Sequence, residues 1–372
     1  AAPAFAWDFS ASGSSSATFK QQTIAPASGD ATTTANFSSS AGGVTVSSSN
    51  TDGANSATFS YTADWNGDAG NFDEYVTVSG SKKVGNWTAS SSTSQYMQKD
   101  VTAGAQPMTA GGTAAITLTD GSITYKLGDA AHLSTAEKAV NGPMGGARDA
   151  EARVAGFNGF SVGLVVGPGT LTVAIDEGSG ATPTALGEDN TNIACGSQAM
   201  GFGFNFSGDV GADLSFTYGS SSATADAKSC TGANKSDSAS ATTMGLGVAI
   251  PLGGMSLALD YESSGTTNTA ASVETTTAQS GFEVSFTMPL SDATLGINVS
   301  AHANEASVAG VKTVVGAAAG TELWYSVPIG AVTLAVGYGS SAVAAGCATC
   351  TAGATVTSAV TTQMGAEMSM SF

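Results

Sequence analysis

The sequence predicts an all-β protein, a transmembrane antiparallel barrel whose strands carry one oily and one polar face. Three observations lead there. The 372-residue chain holds 48 glycines and only 11% charged residues among abundant Ser, Thr and Ala, which disfavours helices built on Glu, Lys and Leu. Its last residues, "TTQMGAEMSMSF", alternate: Met364, Ala366, Met368, Met370 and Phe372 share one parity, and Gln363, Gly365, Glu367, Ser369 and Ser371 the other. No run approaches the roughly 18 apolar residues that a membrane helix requires, so any crossing must be made by strands.

Taken in order, strands are predicted around residues 4–20, 43–49, 56–65, 73–80, 114–119, 122–127 and 159–175, the last reading as a hairpin "VGLVVGPGTLTVAID". A repeating unit follows in "GLGVAIPLGGMSLALDY", "EVSFTMPLSDATLGINV" and "LWYSVPIGAVTLAVGY". Each is a strand, a tight turn and a second strand, with Pro251, Pro289 and Pro328 spaced 38 and 39 residues apart (289−251 and 328−289). "GFGFNFSGDVGADLSFTY" fits the same template. Nine strands from Met200 onward bring the total to about 16. Polar stretches such as "ESSGTTNTAASVETTTAQ" separate the hairpins and read as long loops at one end, opposite short turns at the other, the asymmetry of an outer-membrane barrel.

Parity supports the two-solvent reading. Leu257, Leu259 and Tyr261 share a face, as do Leu295, Ile297 and Val299, and Val332, Leu334, Val336 and Tyr338. Asp8, Lys20, Lys126, Asp213, Asp260, Glu283, Glu322 and Glu367 all fall on the polar parity, as they must if a charge facing hydrocarbon costs a few kcal/mol. Tyr61, Trp65, Tyr218, Tyr261, Tyr325 and Tyr338 lie toward strand ends, where interfacial aromatic girdles form. A barrel this wide leaves an aqueous channel.

The net charge of −18, from 29 acids against 11 bases, excludes nucleic acid as a partner and favours cations near the surface. Cys195, Cys230, Cys347 and Cys350, in loop-like surroundings, suit an oxidising compartment; the expected pairs are Cys195 with Cys230 and Cys347 with Cys350. The C-x-x-C spacing also serves zinc and redox sites, but zinc wants a second ligand pair and a redox site a βαβ context. The opening "AAPAFAWDF" has no basic, apolar leader, so a signal peptide is expected to have been removed already. His132 and His302 have no nucleophile and acid in recognisable register, so no enzyme is expected, and His302 is placed at the start of a long loop. No cofactor is expected either; the one candidate metal is Ca²⁺ in an external loop, at "GEDNTN" around Asp189.

One connection breaks the pattern. "GDAAHLSTAEKAVNGPMGGARDAEAR", residues 128–153, carries both signs of charge and both arginines, and "STAEKAV" from Ser134 has the spacing of a capping box that would start a helical turn.

With "ITLTDGSITYKLGDA" leading into that connection, "NTDGANS" at the first turn, the hairpin repeat and terminal Phe372, the chain resembles the general trimeric porins of Gram-negative bacteria. The resemblance implies a third loop that folds into the barrel and narrows it. It places Asp129, His132, Glu137, Lys138, Arg148, Asp149, Glu151 and Arg153 at the pore constriction and Lys20, Lys126, Asp213, Asp260, Glu283, Glu322 and Glu367 on the pore wall. Those porins carry several wall arginines; here both arginines lie beside the loop, so a less polarised, cation-preferring pore is expected.

The expectation is therefore one domain over residues 1–372, a barrel of about 16 strands passing small hydrophilic solutes and ions passively across the bacterial outer membrane. Its expected partners are the bilayer, outer-leaflet lipopolysaccharide and two further copies of itself. The rival is a secreted or surface-exposed β-sandwich, an adhesin or surface-layer subunit, whose oily faces would meet in a dry centre. A barrel sheathing haem proteins would need more strands.

Overall fold

A computed structural model describes residues 7–26, 28–66, 71–98, 112–129, 132–134, 136–142, 158–179, 197–225, 238–270, 272–345 and 358–372. The strands are β1 (Asp8–Ala25), β2 (Thr32–Asp52), β3 (Asn55–Asn66), β4 (Asn71–Val84), β5 (Trp87–Gln98), β6 (Gly112–Thr119), β7 (Ile123–Asp129), β8 (Asn158–Val166), β9 (Gly169–Ser179), β10 (Ser197–Asp209), β11 (Asp213–Ala225), β12 (Ser238–Leu252), β13 (Met255–Ala270), β14 (Val273–Leu290), β15 (Ala293–Val308), β16 (Val311–Ile329), β17 (Val332–Ala345) and β18 (Ser358–Ser371). Each pairs antiparallel with the next, and β18 returns to β1 through Ser14 opposite Ser371. Gly13 and Phe372 exchange N–H···O bonds of 2.8 and 2.9 Å, completing the ring. Among the described residues the sheet has no free edge, which rules out the sandwich.

The described residues form eighteen strands, in keeping with the expected total of about sixteen. The hairpin at 159–175 forms two strands, β8 and β9, and β5 is a strand beyond those expected. The outward row of β5 runs Trp87, Ala89, Ser91, Thr93 and Gln95, opposite Val84, Val78 and Val76 of β4 among others, so it lacks the apolar alternation that signals a strand. The structure corrects the reading of "ESSGTTNTAASVETTTAQ". It is no loop: β13 and β14 stay paired from Glu262 opposite Gly281 to Ala270 opposite Val273. Threonine is β-branched and pairs across strands, as Thr266 and Thr277 do through hydroxyls 2.6 Å apart. His302 accordingly lies inside β15 rather than in a loop.

The molecule is inside out relative to a water-soluble domain. Phe282, Leu259, Ile297, Leu323, Val336 and Met368 are exposed on the outer face. The largest fully buried side chains are Glu283, Glu322, Asn298, Thr217, Asp260, Ser285 and Ser300, all on the opposite parity. Exposing that much oil is favourable only in contact with lipid. Glu74 departs from the rule: it shares the outward parity with Ala63 and sits toward one rim, where the Tyr61 hydroxyl donates to it.

Candidate functional site: the lumen and its inward segment

The polar parity faces a common interior, and the chain after β7 enters it. Gly128 makes the bend with φ +126°, where a Cβ would sit 2.1 Å from the Ala114 carbonyl oxygen, so only glycine fits. His132, 6% exposed, then ties the segment's base: Nε2 lies 2.8 Å from the Gly128 carbonyl, which can only accept, and Nδ1 lies 2.8 Å from Ser161 Oγ on β8.

Beyond it, residues 136–142 run across the inner faces of β11 to β16. Asp260 of β13 receives the backbone N–H of Lys138 at 2.8 and 2.9 Å and that of Ala139 at 2.6 Å. The Val140 N–H donates to Ser285 Oγ of β14 at 3.0 Å, and the Ser215 hydroxyl of β11 donates to the Ala136 carbonyl at 2.7 Å. Asn298 of β15 reaches the Val140 carbonyl at 2.6 Å, Asn141 Oδ1 at 2.8 Å and Glu283 Oε1 at 3.1 Å. Asn205 of β10 donates to Ser134 Oγ at 2.8 Å. The helical turn expected from Ser134 is absent over residues 136–142, because the N–H groups that would close it are spent on wall oxygens.

Two glycines make room. A Cβ at Gly247 would lie 1.7 Å from the Ala136 oxygen, and one at Gly142 would lie 2.2 Å from the Trp324 ring. Trp324 itself turns inward on β16, 7% exposed, and fills the space above Gly296.

The residues proposed from sequence are distributed unevenly. Glu137 and Lys138 lie on the inward segment, with Lys138 Nζ 2.9 Å from Asp213 Oδ2, a pair whose acid is half exposed. Asp260, Glu283 and Glu322 are sealed beneath or beside the segment at 0%, 0% and 2% exposure. Lys20, Lys126 and Glu367 lie on the wall the segment leaves open. Asp129 ends β7. Arg148, Asp149, Glu151, Arg153, Asp189 and all four cysteines, Cys195, Cys230, Cys347 and Cys350, fall outside the described residues.

Sequence reasoning overlooked Asn205, Ser215, Ser285 and Asn298, the neutral groups that hold the segment, and the inward Trp324. A signal existed for the last: Trp324 shares the parity of Glu322, while the other strand aromatics of its neighbourhood, Phe282 and Phe286, sit on the oily row.

The open wall is mostly hydroxyls, paired across strands at Thr45–Thr62, Ser56–Ser81 and Thr77–Ser94 over 2.9, 2.7 and 2.7 Å. Such a surface offers donors and acceptors alike to water or to a solute that has shed it.

No sequence-family profile matches the chain, and no curated protein matches it. Solved structures do. An anion-selective porin from Comamonas acidovorans aligns over 99% of this chain and 100% of that one at 13% identity with a TM-score of 0.47. OmpT, an outer membrane protein of Vibrio cholerae in a trimer form, aligns over 99% of this chain and 100% of that one at 8% identity with a TM-score of 0.51. The outer membrane channel DcaP of Acinetobacter baumannii aligns over 98% of this chain and 97% of that one at 10% identity with a TM-score of 0.53. The fold reached from periodicity and from the closed register is thus that of the outer-membrane barrels OmpT and DcaP.

Proposed function

We propose that this chain is an outer-membrane channel that lets small hydrophilic solutes diffuse passively through its lumen, narrowed by residues 132–134 and 136–142. The observation that carries the reading is the combination of an oil-faced closed barrel with a segment hydrogen-bonded to the inside of its wall. Nothing in this reading requires covalent chemistry; the barrel supplies a path, and the concentration gradient the driving force.

A cation preference follows from the same arrangement. Asp260, Glu283 and Glu322 lie behind one thickness of chain, where water screens their field less than it would on an open wall. Lys20 and Lys126 across the lumen oppose that field only in part. Glu137 lies on the narrowing segment, and neutralising it with Asp149 (Glu137→Gln, Asp149→Asn) is expected to lower the cation-to-anion permeability ratio; an unchanged reversal potential rejects the assignment.

A homotrimer fits the outer surface. Ser91, Thr93 and Gln95 of β5 occupy outward positions at the height where other strands carry Val or Leu, and Thr93 stands opposite Val78. Polar side chains against lipid find no partner, whereas three copies of this row gathered about a three-fold axis supply one another with partners. Disulfide cross-linking of Thr93→Cys in membranes is expected to give linked pairs of chains; only monomers would reject that face as the contact.

Planar-bilayer reconstitution tests the channel itself. Discrete conductance steps, grouped in threes, and a sharp upper size for permeant polyols are expected. A folded barrel that leaves the bilayer silent overturns the reading.

A further inference from the structure

The open wall carries few charges, and two of opposite sign stand close together there. One hollow of about 660 Å³ holds Lys20 with Gln22, Asn36 and Gln363 around it. Its neighbour, of about 640 Å³, holds Glu367 and, on β3, a second carboxylate, Asp64, that adds to the pull on an ammonium. Thr18 lies between them, lining the first and donating to Glu367 Oε2 at 3.2 Å.

The register fixes how the charges relate. Lys20 faces Asn36 of β2 on one side and Gly365 of β18 on the other, and Thr18 faces Glu367. Lys20 and Glu367 are therefore two residues apart along the strands and one strand apart across them, about 8 Å between Cα atoms from standard sheet spacings. Gly365 puts no side chain beside Lys20, so a small molecule has access to both groups from the lumen. Gln22 and Gln363 face each other one rung above, and their amides, like that of Asn36, both donate and accept.

A lone ammonium on a hydroxyl wall would select anions, and a lone carboxylate cations. An ammonium and a carboxylate side by side, ringed by amides, complement a molecule bearing both charges on neighbouring atoms. We propose that Lys20 and Glu367 form a subsite for small zwitterions, namely α-amino acids and the shortest peptides, in the passage. The solute carboxylate meets Lys20 and the amide N–H groups, while its ammonium meets Glu367. The assignment rests on the channel reading and names the solute class that channel favours. Exposed ion pairs are individually weak, worth about a two- to fivefold effect each, so the site binds loosely enough to release what it attracts.

The test is solute-driven swelling of vesicles holding the purified full-length protein, with serine as the zwitterion, lactate as the anion, ethanolamine as the cation and glycerol as the uncharged reference. Lys20→Gln and Glu367→Gln are each expected to slow serine entry about two- to fivefold with glycerol unchanged. The exchange Lys20→Glu with Glu367→Lys is expected to recover most of the serine rate, because a zwitterion can bind in the reverse sense. Variants that alter only lactate or only ethanolamine, leave serine untouched or slow glycerol in step overturn the subsite. Equal rates for serine and glycerol through wild-type protein also overturn the subsite, whereas entry of none of the four solutes overturns the channel itself.

Discussion

At the scale of single residues, the lumen shows what a carboxylate does when water is withheld from it. Asp260 was legible as an inward residue from its parity with Ala258 and Glu262, yet its role was not, because a wall acid and an anchoring acid look alike until the path of residues 136–142 is known. Asp260→Ala leaves the Lys138 and Ala139 N–H groups without their acceptor, a cost of about 1–3 kcal/mol for buried donors. The segment is then expected to leave the wall part of the time, with larger single-channel conductance and red-shifted tryptophan emission as Trp324 gains water. Gly247→Ala is expected to do the same for a different reason, since its methyl would overlap the Ala136 oxygen. Unchanged conductance in both variants would mean that the seat does not set the pore width. Glu283 and Glu322, buried one and three strands from Asp260, were likewise visible as inward acids but not as covered ones.

At the scale of elements, legibility followed how unequal the two faces of a strand are. The strands from β10 to β18 alternate oil with small or polar residues and were found in sequence; β5, with serine on both faces, was not. A face that sees lipid has a simple test. Leu259→Arg places a charge on the exposed outer row of β13 and is expected to cost roughly 2–4 kcal/mol, read as a lower urea midpoint of refolded protein. Ser79→Arg on the open inner wall is expected to leave that midpoint nearly unchanged while reducing conductance. Turns make a separate contribution. Asp120 Oδ1 accepts the N–H groups of Ile123 and Ser122, each at 2.8 Å, in the β6–β7 turn, and these bonds hold its carboxyl below the ordinary range. A depressed pKa stabilises above the unfolded value and ceases to do so as pH falls through the folded one. Asp120→Ala should therefore fold less well than wild type near neutral pH, and the difference should vanish in acid below the ordinary carboxylate range; a difference constant with pH would show that the turn depends on something other than this charge.

At the scale of the whole molecule, closure does what no local preference can. Eighteen strands satisfy every neighbour's ladder only because Phe372 returns to Gly13, so the folded barrel should resist detergent and migrate faster on gels before heating than after. Identical migration with and without heating would deny the closed sheet. The sequence by itself determined that strands cross the bilayer and, β5 apart, which row of a strand meets lipid, because the period of two is local and a charge is costly wherever a strand meets hydrocarbon. Only the tertiary structure decided that the inner acids of β13, β14 and β16 are roofed by residues 136–142, and that Lys20 and Glu367 become neighbours. Those pairings join residues more than a hundred positions apart, and they depend on register around a closed ring and on the route of one irregular segment, neither of which has a periodic signature in the chain.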